Sequence, residues 1–114
     1  MITKRLSDVE IMKNAHGVDA RNLFDTANAM ITVISLKPGQ SLKRHITPVD
    51  VAFYVLEGTG VVLVGDEELE VSKDTLIESP GGIVHCWYNR SEELLRFMVV
   101  KAPKPAKPTV FIGD

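Results

Sequence analysis

An antiparallel all-β barrel or sandwich is the fold class predicted by this 114-residue sequence, and three observations predict it. Short apolar runs rich in β-branched residues fill the middle of the chain, turn residues separate them at close spacing, and no helical stripe exceeds a couple of turns. Many short strands divided by turn signals suit sheets that close on themselves or pack face to face.

The elements follow in order. Up to residue 28 the pattern is irregular. Ser7-Asp8-Val9-Glu10 can cap a short helix, whereas Asn14, Gly17 and Asp19 suit loops, so at most short strands or one helical turn are expected there. Met30 to Leu36 is the first clear strand, closed by Lys37-Pro38-Gly39-Gln40, in which proline sets φ and glycine accepts a positive φ. Val51 to Leu56 is the next, and Glu57-Gly58-Thr59-Gly60 turns it sharply. Val61 to Val64 and Glu67 to Val71 then flank Gly65-Asp66, a pair suited to a type II′ hairpin because glycine stands first. Strands are further expected at Thr75 to Glu78, Ile83 to Tyr88 and Leu94 to Lys101, with Pro80-Gly81-Gly82 reversing the chain before the middle one. Ala102 to Pro108 holds too many prolines for helix or central strand and should run extended. Beyond it Val110, Phe111 and Ile112 form either a frayed end or an edge strand, on their own barrel or on a second subunit.

Length and composition narrow the class. One domain of residues 1–114, with a core barrel at about 30–101 and a tail at 102–114, can bury roughly two-thirds of its unfolded surface without a disulfide or metal. Thirteen basic against fifteen acidic residues give a net charge of -2, which provides no broad attraction to phosphate backbones or anionic lipid. Nucleic acid and membrane are therefore not expected partners. Residues 1–10 alternate charged and apolar types, and no run approaches the roughly 20 apolar residues of a membrane span, so a cytoplasmic location is expected. The lone Cys86 cannot form an internal disulfide, in keeping with a reducing compartment.

Two segments carry a family resemblance. Pro38-Gly39, five residues, His45, then Phe53-Tyr54-Val55-Leu56-Glu57-Gly58-Thr59-Gly60 resembles the first motif of the cupin superfamily. Asp74, five residues, Pro80-Gly81-Gly82, two residues, His85, three residues, Asn89 resembles the second, with Asp74 standing at a glycine of the pattern. The resemblance implies a double-stranded β-helix, or jelly-roll barrel, in a small single-domain cupin. It also implies a metal centre built from two histidines and a glutamate of the first motif and one histidine of the second. Here His45 and His85 match, but the second histidine falls on Thr47 and the glutamate on Val51 or Ala52. Half of that ligand set is absent, so the expected cofactor is either none or a weakly held Zn, Fe, Mn or Ni ion at His45 and His85.

Strand alternation bears on each candidate. If His45 faces inward so does Thr47, while Val51, Phe53 and Val55 share one face of the next strand. Catalytic zinc normally has three protein ligands and non-haem iron two histidines and a carboxylate, which two imidazoles beside threonine and valine do not supply. Asp50, the only nearby acid, lies one residue off the required parity unless a bulge near Pro48 shifts the register. His45 and His85 are then either buried residues satisfied by hydrogen bonds or, with Thr47 and Trp87, the polar lining of a small-molecule pocket whose apolar wall is Phe53 and Trp87. Either imidazole can also act as general acid or base. Cys86, between them, should face the other way as a small buried hydrophobe. His16 is expected in an exposed loop, its closure over the pocket being the alternative, and Glu57 is expected to serve the turn. Tyr54 and Leu56, outward by parity, together with the β-prone tail suggest a homodimer. Three functional readings stay open: a small-molecule-binding barrel without a complete metal site, a metal-dependent enzyme of dioxygenase, isomerase or decarboxylase type using His45 and His85, and metal-free acid-base catalysis by that pair.

Overall fold

Turn chemistry sets the strand ends, and the strands fall into two antiparallel sheets. The computed structural model describes residues 1–113, in which ten strands are found: β1 Asp19–Asp25, β2 Met30–Leu36, β3 His45–Ile46, β4 Val51–Glu57, β5 Thr59–Val64, β6 Glu67–Ser72, β7 Leu76–Ser79, β8 Val84–Tyr88, β9 Leu95–Lys101 and β10 Val110–Phe111. One sheet has the order β1-β2-β9-β4-β7 and the other β10-β3-β8-β5-β6. The chain thus alternates between two facing sheets, which is the jelly-roll arrangement. The β5–β6 hairpin turns at Gly65 with φ +61, while Asp66 stays out of the left-handed region. Positive φ at the first turn residue alone is the type II′ pattern.

One expectation needs correction. The N-terminal region contains, besides a 3-10 turn at Leu6–Asp8, the seven-residue strand β1, which begins at Asp19, a residue expected in a loop. Its pairing with β2 explains this, because ladder hydrogen bonds outweigh the weak turn preference of an aspartate and an asparagine. Asp74, at the glycine position of the second motif, serves the turn: it adopts φ +65, donates its N–H to the Val55 carbonyl and accepts the Tyr54 hydroxyl. Aspartate tolerates the left-handed region better than most side chains, so it can stand where the pattern has glycine. The tail resolves the other way from a frayed end: Val110 and Phe111 pair with Ile46 and His45 of their own chain.

Inward faces are read off the register. On β4 Val51, Phe53 and Val55 are 3%, 2% and 0% exposed, as alternation requires. On β9 the inward series is Leu95, Phe97, Val99 and Lys101, the last paired with both Val51 and Met30. On β8 it is His85 and Trp87. These series run from a closed end, where Leu36, Leu95, Phe97 and Trp87 are fully buried, to an open end bearing His45, His85 and Lys101.

Candidate ligand-binding site

A cavity of about 210 Å³ occupies the open end between the sheets. Its floor and one wall are apolar, from Met12, Val18, Ile34, Val51 and Phe53, and its polar groups include His16, His45, Thr47, His85 and Lys101. A larger open groove lies outside the barrel beside the N-terminal segment and contains none of these histidines.

The histidines are positioned by backbone register. Phe111, His45, His85 and Val64 form one cross-strand row over β10, β3, β8 and β5, which brings the His45 and His85 ring centroids to 4.5 Å. His16 arrives from a different element. Asn14 organises its loop, donating from Nδ2 to the Met12 and Val18 carbonyls and accepting the His16 and Val18 N–H groups, while Gly17 takes φ +70. Such an asparagine turn holds the loop without secondary structure. It folds His16 over the cavity, 4.9 Å from the His45 ring and 5.5 Å from Phe111. The exposed-loop expectation for His16 is thereby overturned. No local pattern marks the approach, because it depends on a contact 27 residues away in sequence.

Hydrogen bonds then assign the ring nitrogens. The Lys43 carbonyl can only accept, so His45 donates to it from Nδ1 at 2.7 Å and the neutral ring turns a lone pair out at Nε2. The Lys43 N–H can only donate, so His16 accepts it at Nδ1 at 2.8 Å and carries its proton at Nε2. One residue's backbone therefore sets two opposite tautomers. His85 is different: Nδ1 bonds the Ser79 hydroxyl at 2.7 Å and Nε2 the Thr47 hydroxyl at 3.1 Å, and all three residues are at most 2% exposed. Both its nitrogens are used within the protein. Burial lowers all three pKa values, to about 4 for His16 and about 3 for His85, with mutual repulsion between the imidazoles adding to the shifts of these two. The rings are neutral near pH 7.

The remaining candidates divide. Thr47 and Phe53 line the cavity as expected. Trp87 does not: it lies deeper, stacked on Phe97 at 4.2 Å and edge-on to Phe53 at 5.5 Å, so it belongs to the core beneath the site. The alternation that makes it inward says nothing about depth along the barrel. Asp50 stays out of the site, accepting the Gly81 N–H at 2.8 Å and fixing the Pro80-Gly81-Gly82 turn. Glu57 pairs with Arg96. Asn89 donates to the Leu36 and Glu93 carbonyls and pins the closed end. Cys86 is fully buried on the outer face of β8, and burial pushes its thiol pKa up, so it behaves as the small hydrophobe expected. Sequence reasoning overlooked Lys101, although alternation from Leu95 through Phe97 and Val99 aims it inward.

Two facing sheets wound in jelly-roll order around a histidine-bearing open end define a double-stranded β-helix barrel. The chain belongs to the cupin family: the family model described as "Cupin domain" matches residues 32–101. It is similar to an uncharacterised Streptomyces coelicolor protein, SCO3923, at 24% identity over 99 residues, covering 87% of this chain and 93% of that one. Among solved structures it resembles TT1209 from Thermus thermophilus, with TM-score 0.79 and 30% identity over 92% of this chain and 100% of that one. The polyketide cyclase RemF from Streptomyces resistomycificus superimposes with TM-score 0.85 at 22% identity, covering 100% of this chain and 87% of that one. That last likeness is one of fold.

Proposed function

We propose that this cupin is a small-molecule-binding barrel that holds a polar ligand at its open end without a resident metal ion. The observation carrying this reading is the division of labour among the histidines. His45 offers a lone pair and His16 an N–H, both at Nε2 and neither with a protein partner among the described residues, whereas His85 is consumed by Ser79 and Thr47. Such a pair can accept from and donate to one ligand.

The same donor set does not fit the family's metal centre. A divalent transition ion needs about three protein ligands, and here, among the described residues, one imidazole lone pair stands free, no carboxylate lines the cavity, and Lys101 adds positive charge. Turning His16 to present a second lone pair would forfeit its bond from Lys43. Elemental analysis of protein purified without chelator tests this, with substoichiometric Zn, Fe, Mn and Ni expected. A near-equimolar metal lost on His45→Ala would overturn the reading.

One observation favours a second reading, metal-free acid-base catalysis. A lone pair and an N–H facing the same 210 Å³ space suit proton transfer, with His45 and His16 as the pair rather than His45 and His85. Under it, turnover would survive chelation and vanish in His45→Ala.

No described helix is long and apolar enough to cross a membrane, and the proposal includes a cytoplasmic location. It includes a homodimer too, resting on outward Tyr54 and Leu56 alone, since the tail is docked on its own barrel. Light scattering that finds a monomer at micromolar concentration removes that part.

A further inference from the structure

We infer that the cavity selects a small organic anion, held by Lys101 opposite the histidines, an inference that rests on the binding-barrel reading above. The first ground is the lysine itself. It occupies the last inward position of β9, in register with Val51 and Met30, where an aliphatic side chain would continue the packing of Leu95, Phe97 and Val99. A half-buried ammonium there costs free energy unless something compensates it. Nothing in the fold does so: among the described residues the Lys101 ammonium has no ion pair and no hydrogen-bond partner. Other cations on the surface are served, Lys104 by Asp25 at 2.7 Å, Arg21 by Asp19 at 3.0 Å and Arg96 by Glu57 at 3.2 Å.

The second ground is the sign of the lining. Among the described residues no Asp or Glu contributes to the cavity wall, so the formal charge they present to the space is positive. A cation is repelled and a neutral ligand leaves the ammonium uncompensated, but a carboxylate or enolate satisfies it with a charge-assisted hydrogen bond. The His16 Nε2–H is a second donor of the right sign on the same cavity. The third ground is shape. Met12, Val18, Ile34, Val51 and Phe53 line the rest, and 210 Å³ corresponds to about seven waters of liquid volume, so the anion carries a compact apolar body. The lowered Lys101 pKa, caused by burial, agrees with an ammonium short of water.

Calorimetric titration of the whole chain with benzoate and with benzamide, its neutral isostere, separates the possibilities. Benzoate should bind on the order of tenfold or more tighter, as expected for a hydrogen bond to a charged group. Lys101→Met should erase that preference while Lys101→Arg keeps it. If Lys101→Met does not fold, Lys101→Gln compared with Lys101→Arg makes the same test. Equal binding of the two probes to the native protein overturns the anion inference and leaves the binding-barrel reading standing. Binding of neither probe overturns both.

Discussion

The two ends of this barrel are built by the same strands and come out opposite in character. On β8 the inward residues are Trp87 toward the closed end and His85 toward the open end; on β9 they are Leu95 and Phe97 against Lys101. At the closed end the side chains are tightly fitted around Gly60. A Cβ on Gly60 would lie 2.5 Å from a Leu95 methyl and 3.1 Å from the Trp87 ring, so the absence of a side chain is part of the fit. At the open end the sheets enclose a cavity, and polar groups face it across an apolar wall. Period-two alternation fixes which way a side chain points, and position along the strand then decides whether it stabilises the barrel or serves a ligand.

Truncation at each end is the sharpest test of that contrast. Trp87→Ala should cost about 3–5 kcal/mol, the range for removing a large buried aromatic. Lys101→Met should be neutral or stabilising by up to about 1 kcal/mol, because it removes an uncompensated charge and adds apolar contact. Urea denaturation measures both. Comparable losses would mean that the open end is also packed for stability, and the contrast would collapse. Trp87→Phe refines the first arm: the indole Nε1 is buried without a partner among the described residues, so its removal offsets part of the lost packing.

A smaller effect separates histidines that share a cavity. His85→Ala leaves the buried Ser79 and Thr47 hydroxyls without their bonds and should cost about 2–4 kcal/mol. His45→Ala gives up one bond to a carbonyl near the surface and should cost about 1 kcal/mol while ligand binding fails. The reverse order would make His45 the structural residue.

Acid should find His85 before it finds anything in the closed end. The His85 pKa in the folded protein is about 3, lowered by burial first and then by repulsion from His45, against 6.5 for the free side chain. Above pH 6.5 both folded and unfolded states are neutral there and the full stability is present. As pH falls from 6.5 toward 3 the unfolded chain takes up the proton and the folded one does not, so stability drops by about 1.4 kcal/mol per pH unit. His16 contributes in the same direction over the window from 6.5 to about 4, by less because it is partly solvated. Denaturation midpoints between pH 7 and pH 5 should therefore decline, and in His85→Gln the decline should flatten. An unchanged slope in that variant would place the titration elsewhere.

How far this was legible follows from the same physics. Strands β2 and β4 to β9 could be placed from local pattern because Gly65, Pro80 and the apolar runs act within a few residues. The inward sets on β4 and β8 followed from alternation, and so would Lys101 have done. Strand β1 was missed because its partner across the ladder, not its own composition, makes Asp19 and Asn22 extended. The tautomers of His16 and His45 were beyond reach for a related reason. They depend on where the Lys43 peptide lies in space, and no spacing in the chain encodes that.

The least stable part of the open end is its rim, and the smallest prediction concerns it. Strand β10 is two residues long, tied by its pairing with β3 and by the Ile112 N–H donating to the Arg44 carbonyl at 3.0 Å. Phe111 is 43% exposed yet sits edge-on to His16 and within 5.9 Å of the His45 ring, so it covers the histidines without entering the core. An element with so little burial opens at little cost, far below the free energy of global unfolding. Phe111→Ala should change stability by about 0.5–1 kcal/mol, the worth of an exposed aromatic pair, while it speeds ligand dissociation. Amide exchange at Ile112 should likewise be much faster than at Trp87 in the centre of β8. Exchange at Ile112 as slow as at Trp87 would make the tail an integral strand, and ligands would then have to enter elsewhere than beneath Phe111.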